Sequence, residues 1–215
     1  MLIDSINDLL QKRPVILQLL RFAAIGAINT ALDFIILNFI TTYLGIEKGT
    51  SLGLLNAIGF IAAVIQSYFW NKAWAFAESR QVSLFQNAFR LIMVGGLGFV
   101  AFVAVLLGSG YEASSIFYLL VLAAFLISEL VLWIGFKLSL DRSQNAGFQF
   151  VTFIIISLIG LLINSLIIVL ASNVISPYLE SSIAPGIIKN VAKIIATGVS
   201  LIWNFIGYKL FVFKK

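Results

Sequence analysis

Residues 16–44 read ILQLLRFAAIGAINTALDFIILNFITTYL, and in this stretch only Arg21 and Asp33 carry charge. As a helix rising 1.5 Å per residue, such a run extends about 43 Å, more than the roughly 30 Å of a bilayer's hydrocarbon core. Five more apolar stretches follow, at 52–75, 88–108, 115–138, 148–172 and 186–212. The links between them carry turn and breaker residues: Gly45 and Gly49, Ser79, Gly108 with Gly110, Ser143, and Pro177 through Pro185. The whole chain is 61% hydrophobic and only 11% charged, with a mean hydropathy of +1.07. A soluble domain carries about one quarter charged residues. This chain has too little charge to cover itself against water, so lipid is its solvent. The reading is an all-α membrane protein with six transmembrane helices.

Composition also removes whole classes of chemistry. With no cysteine and no histidine, disulfides, thiol nucleophiles, His-ligated metals and a Ser-His-Asp relay are ruled out. No paired-carboxylate signature is present either. No catalytic residue, metal site or cofactor is expected, and the chain is not read as an enzyme. The net charge of +5 comes from bases placed singly at helix ends, which is not the patch that a nucleic acid needs. Residues 1–13 read as an amphipathic segment, with Leu2, Ile3, Ile6, Leu9 and Leu10 on one face and Asp4, Asp8 and Gln11 away from it. It either lies in the membrane interface or forms a solvated leader. Asp4 and Asp8 argue against a cleaved signal peptide.

Orientation follows from lysine and arginine. Lys12, Arg13, Arg21, Lys72, Arg80, Arg90, Lys137, Arg142, Lys209, Lys214 and Lys215 fall on one side, and Lys48, Lys189 and Lys193 on the other. This eleven-to-three split predicts both termini in the cytoplasm and a multi-pass protein of the inner membrane.

The helix pairs resemble one another. Their second helices end in related text: Asn71-Lys72-Ala73-Trp74-Ala75-Phe76, Phe136-Lys137-Leu138-Ser139-Leu140 and Tyr208-Lys209-Leu210-Phe211-Val212-Phe213. In the first helices Gly26, Gly95 and Ser157 share a position, as do Asn29, Gly98 and Gly160, and then Asp33, Phe102 and Asn164. Small residues at this spacing let helices approach closely. The expected organisation is an interfacial segment at 1–13 followed by three parallel hairpin repeats, at 14–78, 85–143 and 148–213, of which the middle one is the most diverged.

At these residues the chain resembles the GtrA-like family of small membrane proteins. The resembling text is Arg21-Phe22 through Gly26, Asn29-Thr30, Asp33, and Ser67 through Phe76. It continues with Ala192 through Gly198, Trp203-Asn204-Phe205 and Lys209 through Phe213. These stretches lie in the first and last pairs. The family usually has four spanning helices, which makes residues 85–145 look like an additional hairpin. The resemblance implies a role in cell-surface polysaccharide synthesis. Members are proposed to move polyprenyl-phosphate-linked sugars across the membrane, or to assist the glycosyltransferases that use them. The implied partners are such a lipid-linked sugar, membrane lipids and a membrane glycosyltransferase.

Polar residues inside the spans are the candidate site. Asp33 lies about 18 Å along the helix from Arg21, near the midplane. It is either a cargo or proton site, or a neutral acid bonded to a neighbouring helix. Lys193, in the outer half of the last helix, either receives a phosphate with Asp33 as its partner or snorkels to the headgroups. Asn29, Asn56, Asn164 and Asn204 are amides that either join helices or line a sugar path. Asn71, Lys72 and Lys209 lie at the cytoplasmic edge, where they either capture phosphate or anchor the interface. Glu129 either bonds Lys137 through water or faces a cavity. The four tryptophans read as interface or packing residues. Substrate translocation is the leading reading; a glycosyltransferase anchor and a small-molecule or cation exporter are its rivals.

Overall fold

The computed structural model describes residues 14–46, 50–77, 83–140, 145–170 and 185–213. Among these it forms six α-helices and no strand: α1 Pro14–Leu44, α2 Thr50–Trp70, α3 Leu84–Gly110, α4 Ser115–Gly135, α5 Ala146–Leu170 and α6 Pro185–Gly207. Each helix falls on one of the six apolar stretches. The amphipathic segment expected at 1–13 lies outside the described residues. Val15–Leu44, Phe85–Gly110, Ser115–Gly135 and Ala146–Asn164 are long and apolar enough to cross a bilayer, and Gly198–Val212 is a shorter apolar helix. The protein is therefore an all-α, multi-pass membrane protein.

Local chemistry sets the helix ends. Pro14 and Pro185 open α1 and α6, where a residue without an N–H forfeits no helical bond. The Ser83 hydroxyl caps α3 by accepting from the Gln86 N–H at 3.2 Å. Gly45 has φ +67° and ends α1, while the Ile46 N–H reaches back to the Thr41 carbonyl at 3.0 Å. This six-to-one bond is the Schellman arrangement, which glycine adopts without strain.

The three second helices end in two different ways. α2 and α6 each continue into a π-helix, Asn71–Ala75 and Tyr208–Val212. α4 instead ends at Gly135, and Lys137 just beyond it sits at φ +52°; the Leu138 N–H returns to Trp133 and the Lys137 N–H to Ile134. The text that aligns Lys72, Lys137 and Lys209 thus folds alike in the first and third hairpins and differently in the second.

The chain divides into two compact units, Met1–Asp141 and Arg142–Lys215. In the first, α1 is the spine, packed against α2, α3 and α4, with α3 also against α4. Its buried face runs Phe22, Ile25, Ile28, Leu32 and Ile35, a helical stripe. The first two hairpins share this body. In the second unit α5 packs against α6 and its π-helical end.

Gly98 sets the closeness of α1 and α3. A Cβ there would lie 2.6 Å from the Ala27 carbonyl carbon and 2.8 Å from both the Ala27 oxygen and the Ile28 nitrogen. Backbone cannot yield as a side chain can, so Gly98→Ala must push the helices apart. The expected cost is about 1–3 kcal/mol, read as a lower melting temperature in detergent. A variant melting with the wild type would show that this contact does not hold the bundle.

Candidate functional site

The first unit gathers its polar groups at two levels. One is the end where α1 and α3 begin and α2 and α4 finish. There Arg21 is buried, only 6% exposed. Its Nη1 donates to the Trp74 carbonyl at 3.2 Å and its Nη2 to Asn87 Oδ1 at 2.7 Å, and its guanidinium lies 6.0 Å from the Trp74 ring centre. Arg90 repeats the pattern on the second hairpin. Its Nη2 donates to the Phe136 carbonyl at 3.2 Å, and its guanidinium stands 5.0 Å from the Phe136 ring. Each arginine therefore leaves the first helix of its hairpin and holds both the carbonyl and the ring of one residue where the second helix ends. A cation is favourable at that end of the helix dipole. Trp74 and Phe136 are themselves neighbours, with ring centres 6.2 Å apart.

The second level lies deeper, between α1 and α2. Asn71 is fully buried, and its Nδ2 donates to the Ser67 carbonyl at 2.8 Å and the Ser67 hydroxyl at 3.1 Å. That same hydroxyl accepts from Asn29 Nδ2 at 2.7 Å. Among the described residues the amide oxygens of Asn29 and Asn71 have no hydrogen-bond partner. Farther along α1, Asp33 Oδ1 is buried against Gly59, where a Cβ would stand 2.5 Å from it, and has no partner among the described residues. Lys72 Nζ sits 3.4 Å from the Tyr68 hydroxyl and 5.6 Å from its ring.

The second unit has its own smaller set. The Asn204 side chain lies over Gly160, where a Cβ would collide with its amide, and Asn204 Oδ1 has no partner among the described residues. Tyr208 stacks on Phe153 at 4.1 Å and shares a 2.7 Å hydrogen bond with Ser157. Asn164 and Lys209 are half-buried on α5 and on the π-helix. Lys193 belongs to α6; its side chain, like that of Asn56, lies outside the described residues. Of the expected site residues, the structure joins Asn29 and Asn71 through Ser67, and it gives Asp33 a separate place in the same unit.

Glu129 has protein partners that neither reading of the sequence supplied. Its Oε1 accepts from Gln66 Nε2 at 2.7 Å, and the Trp70 indole also bonds the carboxyl group. Lys137 is exposed beyond the end of α4. Trp70 and Trp74 are 3% and 2% exposed and meet edge to face, as Trp70 and Trp133 also do. They are packing residues. Trp203 is exposed and donates to the Ile156 carbonyl at 3.2 Å.

Arg21, Asn87 and Arg90 are absent from the expected site, yet the repeat held a signal for two of them. Arg21 precedes Gly26 by five residues, and Arg90 precedes Gly95 by five. The alignment of the hairpins already places the two arginines at one position.

A family model described as the GtrA/DPMS transmembrane domain matches residues 21–140 and again 136–213. The first match runs through the central hairpin without a break, which puts that hairpin inside the family's domain. It ends at residue 140, beside the boundary of the first compact unit at Asp141. No curated protein and no solved structure matches the chain.

Proposed function

Because the chain belongs to the GtrA/DPMS transmembrane domain family, we propose that it carries a polyprenyl-phosphate-linked sugar across the inner membrane for cell-surface polysaccharide synthesis. The reading includes six spans, both termini in the cytoplasm and three related hairpins. It takes the protein to be a carrier without catalytic chemistry of its own. The observation that carries it is the hydrogen-bonded line Asn29–Ser67–Asn71, half-buried to buried, between two helices of a membrane bundle. Its two amide oxygens are left without partners among the described residues. In lipid an unpaired polar group is costly, and a sugar's hydroxyls are the donors that such oxygens lack. Bases at the bundle's edge suit the phosphate, and the prenyl tail stays in lipid. The π-helical ends shared by the first and third hairpins support the repeat.

Reconstitution tests the proposal. Purified protein in proteoliposomes is expected to move a labelled polyprenyl-phosphate-sugar between leaflets faster than protein-free vesicles do. An unchanged rate, together with co-purification of a glycosyltransferase, would replace the carrier with the membrane-anchor reading.

A further inference from the structure

At the end of the first unit, where Arg21 and Arg90 hold neighbouring helix ends, the positive charge exceeds what the other described groups offset. Two guanidiniums bring two charges. The helix ends they touch contribute about half a negative charge each. Neither arginine forms an ion pair among the described residues. About one positive charge is therefore left over. Two N–H donors are left over with it, since Arg21 Nε and Trp74 Nε1 are both buried without an acceptor among the described residues. These residues already touch, through the Arg21 bond to the Trp74 carbonyl. The site lacks negative charge and acceptor oxygens together, and a phosphate ester supplies both.

We infer that Arg21, Arg90 and Trp74 form a subsite for the phosphate ester of a membrane lipid. Arg90 is half-buried and gives the approach, while Arg21 is held from behind by Asn87. An amphipathic ligand fits better than a free ion. On α3, beside Arg90, Phe85, Phe89 and Met93 stand exposed one turn apart. They offer an apolar track for a chain whose headgroup rests on the arginines. The subsite needs only a lipid phosphate; naming that lipid as the cargo rests on the carrier reading above.

Binding to the purified full-length protein in detergent, followed by native mass spectrometry, tests this. The probes are polyprenyl phosphate, uncharged polyprenol, phosphatidylglycerol and inorganic phosphate. Polyprenyl phosphate is expected to bind and polyprenol not to. Arg90→Gln, which keeps a donor for the Phe136 carbonyl, is expected to weaken the phosphate-dependent binding about tenfold or more. Arg90→Lys keeps the charge without the fork and should lose less; it also serves if the glutamine variant fails to fold. Equal, Arg90-dependent binding of phosphatidylglycerol supports the subsite with bulk lipid as its occupant and removes the cargo assignment. Inorganic phosphate competing at low concentration would show that the lipid chain contributes nothing and overturn the lipid part. Binding that ignores both the phosphate and Arg90 overturns the subsite. Arg90-dependent binding without translocation overturns the carrier reading and leaves the subsite standing.

Discussion

Glu129→Leu is expected to melt several degrees below the wild type in detergent, with Glu129→Gln close to normal. The reason is what leucine leaves behind. Gln66 Nε2 now donates to Glu129 at 2.7 Å and the Trp70 indole N–H to the same carboxyl group. Trp70 is buried, and Glu129 itself is 8% exposed. Removing the acceptor strands two donors, at roughly 1–3 kcal/mol each when no water reaches them. Glutamine has the same length and keeps an acceptor oxygen. The pair also joins α2 to α4, the second helices of the first two hairpins, so its loss loosens the bundle across a helix interface. A double-mutant cycle with Gln66→Leu isolates the term. The double variant should recover part of the loss, because the orphaned amide is gone. Fully additive losses, or a Glu129→Leu protein that melts with the wild type, would show that this bond does not join the helices.

How much of this was legible in the sequence depends on the range of the cause. Helix positions came from local composition. Runs of apolar residues bounded by Gly45 or Pro185 fall where the structure forms its helices. Partnership between helices did not follow in the same way. Hydropathy says that each helix is apolar enough for lipid, not which neighbour it meets. That α1 packs on α3 as well as α2 depends on Gly98 lying against the Ala27 backbone. The shared glycine–asparagine position hinted at close approach without naming the partner. The amides were legible as polar residues in spans. Their junction at the Ser67 hydroxyl was not, because serine in a membrane helix ordinarily bonds its own preceding turn. Arg21 was read as an edge charge, since long side chains snorkel to the headgroups. The structure instead turns it inward onto Trp74 and Asn87. Only the spacing from Arg21 to Gly26 and from Arg90 to Gly95 carried that information, and it bears on function only once both arginines are seen to hold equivalent helix ends.

Asp33→Asn is expected to lower translocation of the lipid-linked sugar at least tenfold while leaving protein level and melting temperature near wild type. Asp33 Oδ1 is buried on a spanning helix with no hydrogen bond among the described residues, and it lies against Gly59. If the group only joined helices, it would be bonded to one, and asparagine, of the same shape, would serve equally well. What asparagine cannot do is ionise or exchange a proton, so the substitution removes that capacity and little else. An ionisable group near the middle of a span is expensive unless it is used. Gly59→Ala supplies the complementary perturbation. Its Cβ would meet both Oδ1 and, at 2.9 Å, the Asp33 carbonyl oxygen. It should therefore displace the carboxyl group, slow translocation and also cost stability, because backbone is involved. Lys193→Gln belongs beside them: at equal protein level, loss of transport would give Lys193 a part in transport, and normal transport would leave it a headgroup anchor. Wild-type rates from Asp33→Asn would return the residue to a structural role, whatever the other two variants do.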